Sequence, residues 1–305
     1  MTIGSATTGS AWFLDGISRL QQQQAETQRA LSSGYQVQDA ADSPSQTTAL
    51  VDLGSSLATA RQYQKNLVRV QAEANTADDA IGSGISLIEK ARTLAIQAGS
   101  ATITPVDRQN LAAQVQEIQQ QLVSLANTAV EGRYIFGGNQ DQSAPYQYNA
   151  ASATGVDRLT TATSGRVITD TQGQPVYQGL TAQEIFDPAD STGAAAAGNA
   201  FAAVGSLLTA LGTGNGIATA LTSLQSTSSY LNQQQSRYGA AEQRLTDEQN
   251  NLASRITALE TGVGSIRDTD TVRAAIDLTQ ESTNLSAALA AQAQIPRKSL
   301  FDYLA

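Results

Sequence analysis

Apolar residues recur at alternating intervals of three and four along most of this chain, which is the spacing of amphipathic α-helices. The first such series is half polar, and its positions are Phe13, Ile17, Leu20, Gln24, Thr27 and Leu31. A helix with so polar a seam buries too little apolar surface to be stable alone. We therefore expect this helix to pack against a partner helix.

Two further helices are predicted in the first half of the chain. One runs over about residues 46–99, and because Gly82 and Gly84 lie inside it, at a cost of roughly 1 kcal/mol each relative to Ala, we expect a bend or a break there. Residues 104–107 (Thr-Pro-Val-Asp) are typical of a helix start, with an N-cap, a proline at the first position and an acid in the first turn. The helix that follows should end before Gly132.

The middle of the chain has a different character. Short runs of β-forming residues, separated by glycines, lie at 134–136, 166–169 and 175–177. These runs predict a small antiparallel β region. Residues 192–199 have the composition of a linker or of a weak helix start.

Helical spacing returns after residue 200 and gives the strongest coiled-coil pattern of the chain. Its positions are Leu245, Ile256, Leu252, Leu259, Val263 and Ile266. A last helix is predicted over residues 272–294, and Pro296 ends it. An apolar cluster at residues 300–304 closes the tail.

Helical segments of similar length at both ends predict antiparallel pairing of the two halves. The predicted fold is mainly α, a long-helix coiled-coil rod built from both termini with a small β-rich insert. We expect terminal helices over 1–42 and 270–305, a helical rod over 43–138 and 200–269, and the insert over 139–199. The terminal seams are weak and should pack against other subunits through Phe13, Ile17, Leu20, Leu31, Ile276, Leu278, Leu285, Leu289, Leu300, Phe301 and Leu304.

Composition narrows the class of function. The net charge of −9 gives no basic patch for nucleic acid and no polybasic segment for an anionic membrane. The 305 residues include no Cys and no His, which removes disulfides, the commonest general base and the commonest transition-metal ligand. No apolar run approaches the length of a membrane span, and the N-terminus lacks the pattern of a cleaved secretory signal.

The chemical motifs that can be found are weak. Residues 212–216 (Gly-Thr-Gly-Asn-Gly) resemble part of a dinucleotide loop, but neither the preceding strand nor the following acid is present. Asp78 and Asp79 are adjacent on a helix and therefore diverge, so a solvated face is favoured over a cation site. No Ser lies in a nucleophile-elbow or Ser-x-x-Lys motif. We expect no catalytic residue, no cofactor and no metal.

Several segments together resemble the flagellin superfamily and, within it, the hook–filament junction proteins. Arg133, Tyr134, Ile135 and Phe136 form the most specific piece, inside residues 132–138 (Gly-Arg-Tyr-Ile-Phe-Gly-Gly). The other similar segments are residues 31–44, 88–98, 107–122 and 290–300. The resemblance covers roughly 1–145 and 200–305, and it is loose over the β insert.

The resemblance implies a non-catalytic, structural role in the bacterial flagellum, outside the cell. It implies export in the unfolded state without a cleaved signal, self-association into a ring or tubular layer, and contacts with other hook-associated proteins, flagellin and an export chaperone. Filament flagellin itself is the nearest alternative, since it shares the terminal helices. A coiled-coil scaffold unrelated to flagella explains the heptads but not the ordered set of motifs, and an enzyme is the least favoured class.

Overall fold

The computed structural model describes residues 4–37, 43–170 and 173–293. Seven α-helices and six short strands lie within these residues. The helices are α1 (Gly4–Ser33), α2 (Pro44–Ala98), α3 (Pro105–Ala126), α4 (Ala182–Phe186), α5 (Ala200–Thr213), α6 (Ile217–Arg267) and α7 (Thr271–Ala293). The strands are β1 (Ala129–Val130), β2 (Arg133–Tyr134), β3 (Tyr146–Tyr148), β4 (Val156–Arg158), β5 (Val167–Thr169) and β6 (Pro175–Gln178).

The chain divides into two compact units. Unit 1 contains the residues up to Arg61 and those from Ser254 onward, and unit 2 contains Gln62–Ala253. The boundaries therefore lie inside α2 and α6, each of which contributes one part to each unit. Unit 1 holds both ends of the chain, whereas unit 2 holds every strand.

Unit 1 is built from α1, α7 and the adjoining ends of α2 and α6. Helices α1 and α7 pack against each other, as the polar seam of the first helix predicts. The ends of α2 and α6 are joined by an ion pair in which Arg61 Nη2 lies 2.6 Å from Glu260 Oε1. Apolar contact and single polar links, rather than a thick core, hold this unit together.

In unit 2 the remaining parts of α2 and α6 run antiparallel. Ser228 Oγ donates to Glu89 Oε1 over 2.7 Å, and Gln235 Nε2 donates to Asp78 Oδ2 over 3.4 Å, so the residue number rises on one helix as it falls on the other. Helix α3 packs against α5 in the same unit. These pairs confirm the predicted antiparallel arrangement of long helices.

Helix α2 is continuous through Gly82 and Gly84, so the expected break is wrong. The glycines serve close packing instead. A Cβ at Gly84 would lie 3.2 Å from Cε1 of Phe186, and one at Gly82 would lie 3.3 Å from Nε2 of Gln235. Both distances are tighter than ordinary van der Waals contact, which means that these neighbours pack directly on the helix backbone.

The start of α3 is the predicted one. Thr104 is the N-cap, Pro105 follows, and the Thr104 hydroxyl accepts from the Asp107 amide over 3.2 Å. Asp107 Oδ2 in turn accepts from the Thr104 amide over 3.1 Å, which completes a capping box. The hydrogen bonds from Thr104 lower the pKa of the Asp107 carboxyl.

The β region consists of three separate antiparallel pairs, β1–β2, β3–β4 and β5–β6. The pair β1–β2 closes through Glu131 and Gly132, whose φ angles of 52° and 78° are those of a two-residue hairpin turn of the primed type. The predicted strands at 166–169 and 175–177 correspond to β5 and β6. Of the strand expected over 134–136, only Tyr134 belongs to an observed strand, β2. The pair β3–β4 was not predicted.

The observed helices and strands confirm the predicted fold class, mainly α with a small β-rich insert. The division into three domains, with boundaries at residues 42, 138, 199 and 269, stays a prediction. Residues 192–199, expected as a linker or a helix start, form the turn before α5, whose N-cap is Asn199. Residues 214–216 connect α5 to α6, so the glycine-rich segment follows a helix instead of a strand.

Candidate functional site: the terminal helix pair

The seam between α1 and α7 brings together residues from both ends of the chain. On α1, Ile17 is buried at 8% exposure, and Phe13, Leu20 and Leu31 are partly buried. The α7 residues with reduced exposure follow the same spacing, and they are Ala274, Leu278, Glu281, Leu285 and Ala288. The seam therefore contains polar as well as apolar positions.

Two polar side chains of this seam, one from each helix, are paired with each other. Thr27 Oγ1 donates to Glu281 Oε1 over 3.1 Å, across 254 positions of sequence. A polar pair of this kind specifies the register of two helices better than it stabilises them. The α1–α7 pair is consequently defined in register but weak in apolar burial.

A second set of links joins the end of α1 to the turn between α6 and α7. Gln36 donates its amide to the Arg267 carbonyl over 2.8 Å, and Thr269 donates to the Gly34 carbonyl over 2.8 Å. The Arg267 guanidinium carbon lies 4.4 Å from the ring centre of Tyr35, a cation–π distance. These contacts fix the end of α1 next to the turn between α6 and α7.

Large apolar side chains of the same two helices lie on the surface. Trp12 and Leu14 on α1 are exposed at 77% and 56%, and Val272 and Ile276 on α7 at 71% and 63%. A shallow groove follows the outer side of α7 and is lined by Thr271, Val272, Ala275, Ile276, Thr279 and Gln280. A series of exposed apolar side chains along one side of a helix is typical of an interaction surface.

The structure divides the predicted interface residues between these two sides. Phe13, Ile17, Leu20, Leu31, Leu278 and Leu285 lie at reduced exposure along the α1–α7 seam, whereas Ile276 and Leu289 are exposed. Leu300, Phe301 and Leu304 lie outside the described residues. Trp12, Leu14 and Val272 were not among the predicted residues, because they do not fit the seam spacing of their helices.

The motif at 133–136 lies in unit 2, where its first residue contacts a buried acid. Glu73 on α2 is 7% exposed and accepts from Arg133 Nη2 and Arg166 Nη1, both over 2.7 Å at Oε1. Arg133 Nη1 also lies 3.4 Å from Asp141 Oδ2. Glu73 therefore ties two separate parts of the β region to the long helix.

The last residue of the motif belongs to an aromatic core. Phe136 is fully buried and meets Phe186 edge to face, with 5.8 Å between ring centres. Phe201 continues the cluster and lies 4.9 Å from the ring of Tyr146. The segment 133–136 thus holds the β region on the helices, a packing role that fits its position at the helix-to-strand transition.

A partly buried polar network surrounds Asp187 at the edge of this core. Its Oδ2 accepts from the Tyr146 hydroxyl over 3.0 Å and from Arg158 Nε over 2.9 Å, and its Oδ1 accepts from Asn199 Nδ2 over 2.6 Å. Burial, and next the charge of Asp187, raises the pKa of the Tyr146 hydroxyl. The tyrosine therefore stays protonated and acts as a hydrogen-bond donor.

Within residues 4–37, 43–170 and 173–293 no group of His, Cys, Asp or Glu side chains has the arrangement of a metal site. Asp78 and Asp79 lie near Glu242 instead, and burial together with these two charges raises the pKa of the Glu242 carboxyl. No helix in the described part of the chain has a stretch long and apolar enough to cross a membrane.

The fold defines a class of protein, helical chains whose two ends pair and whose middle carries a small β region. The model of the bacterial flagellin N-terminal helical region matches residues 10–141, and that of the C-terminal helical region matches residues 221–304. Together the two matches cover well over half of the chain. The chain belongs to the bacterial flagellin family, as the sequence resemblance predicts.

Two curated relatives carry a more specific name. Flagellar hook-associated protein 3 of Escherichia coli is 26% identical over 203 residues, which are 65% of this chain and 63% of that protein. The protein of the same name from Salmonella typhimurium is 24% identical over 57% of this chain and 56% of its own length. Each match spans less than two thirds of the relative.

Two solved structures share the fold. One, described as a putative flagellar hook-associated protein from Vibrio parahaemolyticus, is 17% identical with a TM-score of 0.64 and covers 74% of this chain and 100% of its own. The other, Bacillus cereus FlgL, is 16% identical with a TM-score of 0.56 and covers 70% of this chain and 99% of its own. At these identities the likeness concerns the fold.

Proposed function

We propose that this chain is a structural, non-catalytic subunit of the bacterial flagellum that joins the hook to the filament. The proposal rests on the terminal helix pair, on which the large apolar side chains of Trp12, Val272 and Ile276 are exposed. The names of the curated relatives favour the junction role over that of the filament subunit.

The terminal pair is the part of the chain that polymerises. Copies of the chain would bury the exposed residues of α1 and α7 against each other and form a ring or a tubular layer. We place residues 1–42 and 270–305 on the inside of this layer, 43–138 and 200–269 in its helical wall, and 139–199 on the outside. Phe13, Ile17, Leu20, Leu31, Ile276, Leu278, Leu285, Leu289, Leu300, Phe301 and Leu304 are the proposed interface residues.

The partners follow from this position in the flagellum. On one side the layer would contact other hook-associated proteins, and on the other the first flagellin subunits. The chain would leave the cell unfolded, without a cleaved signal peptide and with the help of an export chaperone, and it would act outside the cell. Its lack of cysteine is compatible with such a route.

Deletion of the gene tests the proposal. Cells without the chain should carry bare hooks and release flagellin into the medium, and a plasmid copy of the wild-type gene should restore filaments. Electron microscopy and an immunoblot of the medium measure the two effects. Loss of filaments without released flagellin would make this chain the filament subunit, and intact motility in the deletion strain would contradict both flagellar roles.

A further inference from the structure

A groove on unit 2 lies between β6, α4 and α6. Val176, Leu180 and the buried Tyr238 contribute apolar surface to its mixed lining, and its volume is about 370 Å³. Arg237 and Arg244 also line it, seven positions apart on α6 and therefore on the same face of the helix. The alanines 240 and 241 lie between them, so small side chains leave the two guanidinium groups accessible.

Neither arginine forms an ion pair with a carboxylate in the part of the chain that the structure describes. Arg237 Nη1 donates to the Gln234 amide oxygen over 3.2 Å, and no ion pair involves Arg244. The acid among the groove residues is Glu184, whose Oε2 already accepts from the amide and the hydroxyl of Thr181 over 2.7 and 2.9 Å. Both guanidinium groups can therefore bind a carboxylate from outside the chain.

An acidic side lies across the same helix. At about 100° per residue, Glu242 is about 140° from Arg237 and about 160° from Arg244 around α6. Asp78 and Asp79 of α2 lie next to Glu242, close enough for their charges to raise its pKa after the effect of burial. No arginine or lysine is within ion-pair distance of these three acids in the described ranges.

We propose that the basic groove of one copy binds the acidic side of a second copy, so that Arg237 and Arg244 meet Asp78, Asp79 and Glu242. The proposal rests on the proposed function, which requires copies to lie side by side. A two-fold contact through the groove would place four arginines together, whereas a contact between different sides pairs opposite charges. Contacts of this head-to-tail type generate rings or helical layers.

The contact acts on copies that are already neighbours. Exposed ion pairs are individually weak, because solvent and salt screen them. The terminal helices supply the first association and raise the effective concentration of one unit 2 next to another. The charged sides then determine the angle at which neighbours meet and exclude arrangements that place like charges opposite each other.

Cross-linking between single-cysteine copies tests the contact directly. Asp79→Cys and Ala241→Cys chains are produced together in cells that lack the chromosomal copy, and isolated flagella are oxidised. The wild-type chain contains no cysteine, so a disulfide-linked dimer of this chain reports the introduced thiols. We expect at least tenfold more dimer than from Glu117→Cys with Ala241→Cys, or from either chain produced alone.

Charge reversal gives a second readout that does not need cysteine. R237E/R244E and D78K/D79K should each lower the number of filament-bearing cells at least tenfold, and the four substitutions together should restore it. K65E/K90E makes the same change in net charge as R237E/R244E but adds it to the helix that carries the acidic side, and we expect near wild-type filaments. Circular dichroism of the purified variants verifies that each is folded.

The possible failures are distinguishable. If wild-type chains restore filaments and the 79–241 pair gives no more dimer than its controls, the inference is wrong and the proposed function stands. If R237E/R244E loses filaments, D78K/D79K does not and the combination fails to restore them, the groove binds a different partner and the inference is again wrong. If the wild-type chain itself does not restore filaments, the proposed function fails and this inference fails with it.

Discussion

The two units of this chain differ in how completely they bury their apolar side chains. In unit 2, residues such as Leu67, Phe136 and Leu224 reach 0% exposure. In unit 1, the most buried apolar side chains in the described part of the chain keep between 4% and 9%, and they are Ile17, Val37, Ala60, Ile256 and Ala274. Helices α2 and α6 thus belong partly to unit 2, which has a closed core, and partly to unit 1, which does not.

The difference in apolar burial indicates which part of the chain is stable by itself. Ordering a residue costs about 1–2 kcal/mol of backbone entropy, and apolar burial is the main term that offsets it. Unit 2 buries rings and leucines from helices and strands together, whereas the α1–α7 seam contains Gln24, Thr27 and Glu281. We therefore expect unit 2 to fold in the isolated chain and unit 1 to need neighbouring copies.

Aspartate substitutions in α7 should prevent assembly without affecting the folding of unit 2. An aspartate at Leu285 or Leu289 places a charge on the terminal pair and should abolish incorporation into flagella, because assembly would bury that charge without a partner. Thermal unfolding of unit 2 should be unchanged, since neither residue belongs to it. Immunoblots of isolated flagella and calorimetry of the purified chain measure the two quantities.

Thr261→Asp is the matched control for these variants. Thr261 is exposed on the part of α6 that belongs to unit 1, outside the terminal pair, and its hydroxyl donates to the Thr257 carbonyl within its own helix. We expect this variant to be incorporated. Normal incorporation of Leu285→Asp would show that the terminal pair is not the assembly surface.

Loss of an aromatic side chain tests the closed core of unit 2. Phe186→Ala should lower the free energy of unfolding by about 3–5 kcal/mol, because it removes a ring that contacts Phe136, Phe201 and the backbone at Gly84. Val167→Ala, at an exposed position of the same unit, should change it by less than about 0.5 kcal/mol. Chemical denaturation of the full chain checks both, and equal effects would contradict a packed core.

Removal of the buried charge tests how the β region is attached to the helices. Glu73→Gln should cost about 2 kcal/mol, less than the 3–5 kcal/mol of a fully buried pair, because the side chains of Arg133 and Arg166 are each 33% exposed. Glu117→Gln, at an exposed position of α3, is the control. A variant at Glu73 as stable as the control would assign the attachment to the aromatic residues alone.

The smallest expected effect concerns pH. The pKa of Glu242 is raised, first by burial and then by Asp78 and Asp79, so the folded state disfavours its ionised form. Glu242→Gln should therefore stabilise unit 2 at pH 7, by no more than about 0.5 kcal/mol. The gain should vanish at a pH low enough to protonate the carboxyl, and denaturation curves at both pH values measure it. A gain that persists in acid would contradict the charge explanation.

The helical part of the fold could be predicted because it depends on local patterns. The capping box at Thr104 and Asp107, the end of α3 and the pairing of α1 with α7 all follow from residues close together in sequence or from one repeated spacing. The break expected near Gly84 was wrong because the cost of a glycine is offset there by the ring of Phe186, about a hundred positions away. Helix propensity alone does not include packing between residues far apart in sequence.

The site could be predicted less completely than the fold. Seam positions such as Ile17 and Leu285 follow from periodicity, but the exposed Trp12 and Val272 do not fit it. Glu73 was missed because its partners, Arg133 and Arg166, are 60 and 93 positions away. The pair β3–β4 was missed because the polar residues Gln147, Asp157 and Arg158 interrupt its β-forming residues, whereas β5 is an unbroken run of Val, Ile and Thr.

Amide hydrogen exchange, measured residue by residue on the isolated chain and on assembled flagella, tests whether the terminal helices need neighbouring copies to be stable. We expect rapid exchange in α1 and α7 of the isolated chain, slow exchange in α3 and α5, and slow exchange in all four helices after assembly. If α1 and α7 are as strongly protected in the isolated chain as α3 and α5, the terminal pair is stable without neighbours and assembly does not order it.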